Sequence, residues 1–236
     1  DIQERIEEAI GEKLDPSTGF HCGISGIAGT VSGKRYFIKC GAPSKAFTAE
    51  ERGLRELSAA GEIKTVIPIA ASDDFIVTEY LDGGGLPDDF FRKFGRQLAR
   101  LHRHTSPEFG FSEDNFIGRT LQRNKAEADE KHNWPAFFYN KRLLEQYLLA
   151  KKNGYGERLR SAGFERLQKK IPKIFTDTKE PPALLHGDLW RGNFLCDTHG
   201  DPVLLDPAVY YGHREADIAM TKLFGGFAED FYDAYD

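Results

Sequence analysis

One stretch of the sequence combines residue types and spacing that specify chemistry: His186-Gly187-Asp188-Leu189-Trp190-Arg191-Gly192-Asn193, followed by an apolar run ending in Asp206. An Asp, an Asn five residues later and a further Asp at the end of the next hairpin match the spacing of a phosphoryl-transfer loop and its metal-binding carboxylate. Transfer from ATP to a hydroxyl needs a carboxylate that orients the hydroxyl and takes its proton. It also needs hard oxygen ligands that hold Mg²⁺ against the phosphates. Asp188 suits the first task; Asn193 and Asp206 suit the second.

A second set lies upstream. Lys39 sits inside an apolar, β-rich run, where an unpaired ammonium is costly, so it calls for an acidic partner. Glu50 in the following helical segment is the better placed of the Glu50/Glu51 pair, being three residues from Phe47 and four from Leu54 on the buried side. A strand Lys paired with a helix Glu positions ATP phosphates in kinases. Gly23, Ser25 and Gly26 belong to a glycine-studded stretch ahead of that strand, where backbone amides can cover phosphates. Glu79-Tyr80-Leu81 closes a later strand, at the place where an adenine edge meets linker backbone. Cys22 lies in the glycine loop, where a small turn residue is the favoured reading over a redox-sensitive thiol.

These residues need elements to hold them. Ile2, Ile6, Ile10 and Leu14 mark a helix face; a hairpin over Cys22 to Gly33 leads into a strand at 35–40; a helix is expected at 46–59 and a strand at 75–81. The triple glycine Gly83 to Gly85 reads as a flexible break and sets a boundary, giving an N-terminal ATP-binding lobe (1–82) and a C-terminal catalytic and acceptor lobe (83–236). Helices are expected over 88–104, 136–151 and 157–171, with short strands at 183–186, 193–195 and 203–206, the last two forming a hairpin. Trp134, Phe137 and Phe138 read as core. His102 and His104 read as cations suited to a helix C-terminus, with no zinc ligands nearby. The chain stops at Tyr235-Asp236 inside an amphipathic pattern, so a further C-terminal segment is expected.

Composition narrows the class. With 236 residues, 40% hydrophobic and 29% charged, the chain can bury a real core, which excludes a bare peptide module, disorder and coiled coil. A net charge of −5 without a Lys/Arg run excludes the field of a nucleic-acid binder. No apolar stretch suits a membrane span and no signal peptide is visible, so a cytoplasmic location is expected, with the three sparse cysteines as thiols. None of these signals bears on oligomeric state.

Beyond the catalytic loop, the segment Asp206-Pro207-Ala208-Val209-Tyr210-Tyr211-Gly212-His213-Arg214-Glu215-Ala216-Asp217 and the segments Asp114-Asn115-Phe116-Ile117-Gly118 and Gln122-Arg123-Asn124 resemble the fructosamine kinases, or ketosamine 3-kinases. Trp190 within the loop separates that family from its aminoglycoside and choline phosphotransferase relatives. The resemblance implies an α+β, two-lobed protein-kinase-like fold, with a small β-rich N-lobe and a larger, mainly helical C-lobe. It implies ATP/Mg²⁺-dependent phosphorylation at O3 of a ketosamine, small or carried on a glycated protein lysine, and deglycation as the outcome. By position, Lys39 and Glu50 become the ATP pair, Asp188 the base, Asn193 and Asp206 the metal ligands, and Trp190, Tyr210 and Asp217 the sugar pocket. Two alternatives stay open: a kinase with another small hydroxylated acceptor, which Trp190 and Tyr210-Tyr211-Gly212-His213 disfavour, and an inactive ATP-binding regulator, which the intact residue set disfavours.

Overall fold

The computed structural model describes residues 1–21, 23, 25–156, 161–175 and 179–236, leaving the side chains of 161 and 162 aside. Cys22 and the first four residues of the helix expected at 157–171 lie outside them. Alternation in the sequence builds the first sheet. Strand β2 (Arg35–Cys40) buries Tyr36, Ile38 and Cys40 on one face, so Phe37 and Lys39 must point to the other. With β1 (Gly26–Gly29), β4 (Pro68–Ala71) and β5 (Phe75–Glu79) it forms an antiparallel sheet in the order β1-β2-β5-β4. Helix α1 (Ile2–Ile10) packs Ile6 against the Tyr36 face, and Arg5 ties it to Asp74 at 2.6 Å. Helix α2 (Ala46–Ala60) sets Leu54 against Ile76, Val66 and Val203.

Beyond the sheet, helices dominate. Helix α3 (Phe90–Leu101) carries Phe90, Phe94, Leu98 and Leu101 into a core shared with α8 (Glu229–Tyr235), which contributes Phe231 and Tyr235. Strands β9 (Phe194–Cys196) and β10 (Pro202–Leu204) form the expected hairpin, and β3 (Lys64–Thr65) joins β10 in parallel. Strands β8 (Ala183–Leu185) and β11 (Tyr210–Gly212) pair antiparallel, and a hairpin of β6 (Asn115–Ile117) and β7 (Thr120–Gln122) packs near α2. Helical turns run from α4 (Trp134–Phe138) through α5 (Glu145–Ala150), and α6 (Ser161–Ile174) precedes β8; α7 (Glu215–Leu223) leads towards α8. Among the described residues no helix is long and apolar enough to cross a membrane.

The triple glycine is held in place. Gly83 pairs with Asp197, Gly84 N–H donates to the Cys196 carbonyl at 2.7 Å, and Cys196 Sγ reaches the Gly85 carbonyl at 3.2 Å. A Cβ at Gly84 would overlap the Asp197 carbonyl oxygen, so the glycine serves close backbone approach. Gly95 does the same where α3 crosses α8: a Cβ there would overlap the Phe231 carbonyl oxygen. Gly95→Ala is therefore expected to destabilise the fold by about 1–3 kcal/mol through overpacking, although Ala is the better helix former. A shift of the urea midpoint at constant slope checks it.

Candidate active site

The cleft is built where the two halves of the chain meet. β2 directs Lys39 into it and α2 supplies Glu50, whose Oε1 lies 2.8 Å from Lys39 Nζ. Glu51 points elsewhere, to Arg55. From the other side the β9–β10 hairpin delivers Asp206, 2.5 Å from the same ammonium. Asp206 has φ 54°, the one positive value at a non-glycine among the described residues, a backbone state that Asp tolerates better than most side chains. Burial works against the Lys39 charge, but Glu50 and Asp206 outweigh it and hold its pKa above the ordinary value. Burial also pushes the Glu50 carboxyl up, against the pull of Lys39.

Asp188 hangs on the loop after β8. Asn193 donates through Nδ2 to the Asp188 carbonyl at 2.8 Å and to its carboxylate at 3.0 Å, which fixes loop and side chain together. His186 braces the loop from behind: its Nδ1 accepts from Asp188 N–H at 3.2 Å and its Nε2 donates to the Leu205 carbonyl at 3.0 Å, next to Asp206. That donor pattern is the neutral ring, and burial lowers the His186 pKa accordingly. Burial raises the half-buried Asp188 carboxyl, with His186 and Asn193 opposing. Gly187 has φ 83°, and a Cβ there would overlap the Ala208 carbonyl oxygen.

Two cavities share Lys39, Glu50 and Asp206 in their walls. A slot of 160 Å³ is lined by Phe37, Val66, Ile76, Leu195 and Leu205 and edged by Glu79, Tyr80 and Leu81. The Glu79 carboxylate is spent on the Ile67 N–H at 2.9 Å, which leaves this segment to act through its backbone. A larger space of 1080 Å³ gathers Gly23, Ser25, Lys39, Glu50, Asp188, Trp190, Asn193 and Asp206. Asn193 and Asp206 thus present hard oxygen donors on one cavity, a set that suits Mg²⁺. Trp190 meets Phe224 edge-on at 5.3 Å.

Three residues stand elsewhere than the sequence led us to expect. Gly26 opens β1 opposite Ile38 and does not line either cavity. Tyr210 and Asp217, read as sugar-pocket residues, are buried behind the cleft. Tyr210 stacks on Phe137 with centroids 6.1 Å apart, under the Arg142 guanidinium at 4.0 Å. Asp217 accepts from His186 N–H at 2.7 Å and Gly187 N–H at 2.9 Å, and lies 3.1 Å from His102 Nε2. Burial opposes its charge, but these bonds keep its pKa below the usual carboxylate range. Its place near Asp206 in sequence could not show that α7 turns it inward. His102 likewise is buried, between the Tyr235 hydroxyl and the Asp217 carboxylate and away from solvent.

The sequence reading missed the staples behind Asp206. Asn115 Nδ2 donates to the Val209 carbonyl at 2.7 Å, and Gln122 Nε2 donates to the Ala208 carbonyl at 3.0 Å. Arg142 donates to Asn124 Oδ1 at 2.7 Å. Asn115, Gln122 and Asn124 belong to the segments that carried the family resemblance, so the polar side chains of those segments were the available signal.

This fold, with a Lys–Glu pair facing the Asp188 loop across a cleft, is that of the protein-kinase-like phosphotransferases. The sequence profile of the fructosamine kinase family matches residues 4–236, and the chain belongs to that family. It is 38% identical over 206 residues to a probable ketoamine kinase of Enterococcus faecium, covering 86% of this chain and 72% of that protein. It is 32% identical over 257 residues to the ketosamine-3-kinase of Mus musculus, covering 94% and 81%. A crystal structure from Thermobifida fusca, assigned to the fructosamine-3-kinases, superposes with a TM-score of 0.83 at 28% identity over all of this chain and 83% of that one. A macrolide 2′-phosphotransferase from Brachybacterium faecium shares the fold at a TM-score of 0.61 and 15% identity.

Proposed function

We propose that this chain transfers the γ-phosphoryl group of ATP to O3 of a ketosamine, a fructosamine or ribulosamine, on a small amine or a protein lysine. The 3-phosphate then breaks down and frees the amine. Residues 1–82 carry the nucleotide and residues 83–236 the base and acceptor. The observation that supports this reading most is Lys39, shared between Glu50 and Asp206, facing Asp188 across one cavity. The backbone of Glu79 to Leu81 meets the adenine edge; Gly23 and Ser25 lie over the phosphates; Lys39, oriented by Glu50, holds them.

Asp188 orients the acceptor hydroxyl and takes its proton as the new O–P bond forms and the bond to ADP breaks. Asn193 and Asp206 would hold Mg²⁺, which when bound neutralises charge on the phosphates. Trp190 walls the sugar. The relatives named for ketoamine and ketosamine substrates support this acceptor class. The test is ADP release coupled to a ketosamine panel, with fructosyl- and ribulosyl-lysine against free sugars, choline and an aminoglycoside. Turnover confined to the ketosamines, with phosphate located on O3 by NMR, is the expected result. Turnover with another acceptor alone would keep the phosphotransfer and discard the ketosamine; ADP release with none of them would point to a regulator.

A further inference from the structure

Behind the catalytic loop, α3, α7 and α8 meet at three buried polar side chains: His102, Asp217 and Tyr235. His102 Nδ1 lies 2.6 Å from the Tyr235 hydroxyl, and His102 Nε2 lies 3.1 Å from Asp217 Oδ2. A neutral imidazole has one proton and two places to put it. The Asp217 carboxylate offers only lone pairs, and these already receive the N–H groups of His186 and Gly187. The ring proton therefore belongs on Nε2, and Nδ1 must accept.

Tyr235 supplies the matching donor: its hydroxyl lies 2.6 Å from Nδ1 and has one hydrogen to give. Arg214, held by both Glu180 oxygens at 3.0 Å, sets its guanidinium 5.7 Å from the centroid of the Tyr235 ring. One unidirectional series of donors results: Tyr235 to His102, His102 to Asp217, with Asp217 gripping the two amides that precede Asp188. The ring of Tyr235 stacks on Phe231, which holds the phenol oxygen beside His102.

We propose that Tyr235 is a positioning residue for catalysis: its hydroxyl donates to His102 Nδ1 and, together with Asp217, holds the Nε2–H tautomer of His102, which locks Asp217 onto the backbone of His186 and Gly187 and so fixes Asp188. The kinetic part of this rests on the reading of Asp188 as the base; the tautomer does not. The tautomer alone is read by ¹⁵N NMR of the histidine rings in the full chain. The wild type is expected to show His102 protonated on Nε2, and Tyr235→Phe to show exchange between both tautomers. With the best acceptor of the panel above, Tyr235→Phe is expected to lower kcat about tenfold, the scale of one lost buried hydrogen bond, with KM for ATP unchanged. In a His102→Gln background the amide donates to Asp217 with no ring proton to place, so adding Tyr235→Phe should cost less than about twofold. A wild-type ring protonated on Nδ1, or equal losses from Tyr235→Phe in both backgrounds, overturns the proposal. If Tyr235→Phe fails to fold, the wild-type spectrum still tests the proposal, because a ring protonated on Nδ1 excludes it. An enzyme inactive on every acceptor would count against the proposed function and leave the tautomer result standing.

Discussion

Asp188→Asn is expected to lower kcat by about 10²- to 10⁴-fold, the usual worth of a positioned base, while melting with the parent. The two side chains have the same shape, and an Asn at 188 still accepts from Asn193 Nδ2, so the loop keeps its tether. Only proton acceptance is lost. The pH profile tests this separately from the size of the effect. A base must be ionised to work, and burial raises the Asp188 pKa, with His186 and Asn193 pulling the other way. The activity of the parent should therefore fall on acidification at a pH above that of an ordinary Asp, near ~3.9. The residual activity of Asp188→Asn should lack that limb. Steady-state kcat/KM across the acidic range, with ATP binding measured alongside, checks both. Near-normal turnover in the variant would remove Asp188 from the role of base.

The parts of this site that the sequence displayed are those in which chemistry restricts both residue type and backbone. Lys39 was visible because an ammonium has no place in an apolar strand without a partner, and strand alternation sends it to the face opposite Ile38. Glu50 followed from helix phase: three residues after Phe47 and four before Leu54, it faces the strand and Glu51 does not. Asp188, Asn193 and Asp206 announced themselves by spacing on either side of a hairpin with a dense turn.

What stayed hidden is how the elements turn against one another and which side chains they bury. Asp217 sits eleven residues after Asp206, and nothing in that interval tells whether its carboxylate faces a sugar or two backbone amides. His102 occupies a helix end, where exposure is the usual state, yet α8 covers it with Tyr235. Gly83 to Gly85 has the composition of a hinge, and only the packed backbone of Cys196 and Asp197 shows that Gly84 is there for close contact. The short strands β3, β6 and β7 are too brief to show a period, and each is held by partners distant in sequence.

Lys39→Met separates the two functions that one ammonium performs. It removes the group proposed to hold the phosphates, and kcat/KM for ATP is expected to fall by at least about 10²-fold, as loss of electrostatic stabilisation at a transferring group does. It also strips the cation from between two carboxylates, and breaking a buried pair by removing one partner costs about 3–5 kcal/mol when the other stays charged. Glu50 is the carboxylate at stake, because it is the deeply buried one. Its escape is to take up a proton: burial already raises its pKa, and losing Lys39, the group that pulls it down, raises it further. A carboxyl whose folded pKa lies above its unfolded value contributes stability below the unfolded pKa and loses it as pH rises through the folded one. The stability gap between Lys39→Met and the parent should therefore be small in acid and widen towards neutral pH, which urea denaturation at a series of pH values measures. Glu50→Gln added to Lys39→Met should close much of the gap at neutral pH, because the amide has no charge to leave unpaired. It should restore no activity, since the amide cannot hold a phosphate. Recovery of stability without recovery of turnover is the outcome expected if the Lys39–Glu50 pair is kept for ATP; an equal gap at every pH would show that Glu50 carries no uncompensated charge once Lys39 is gone.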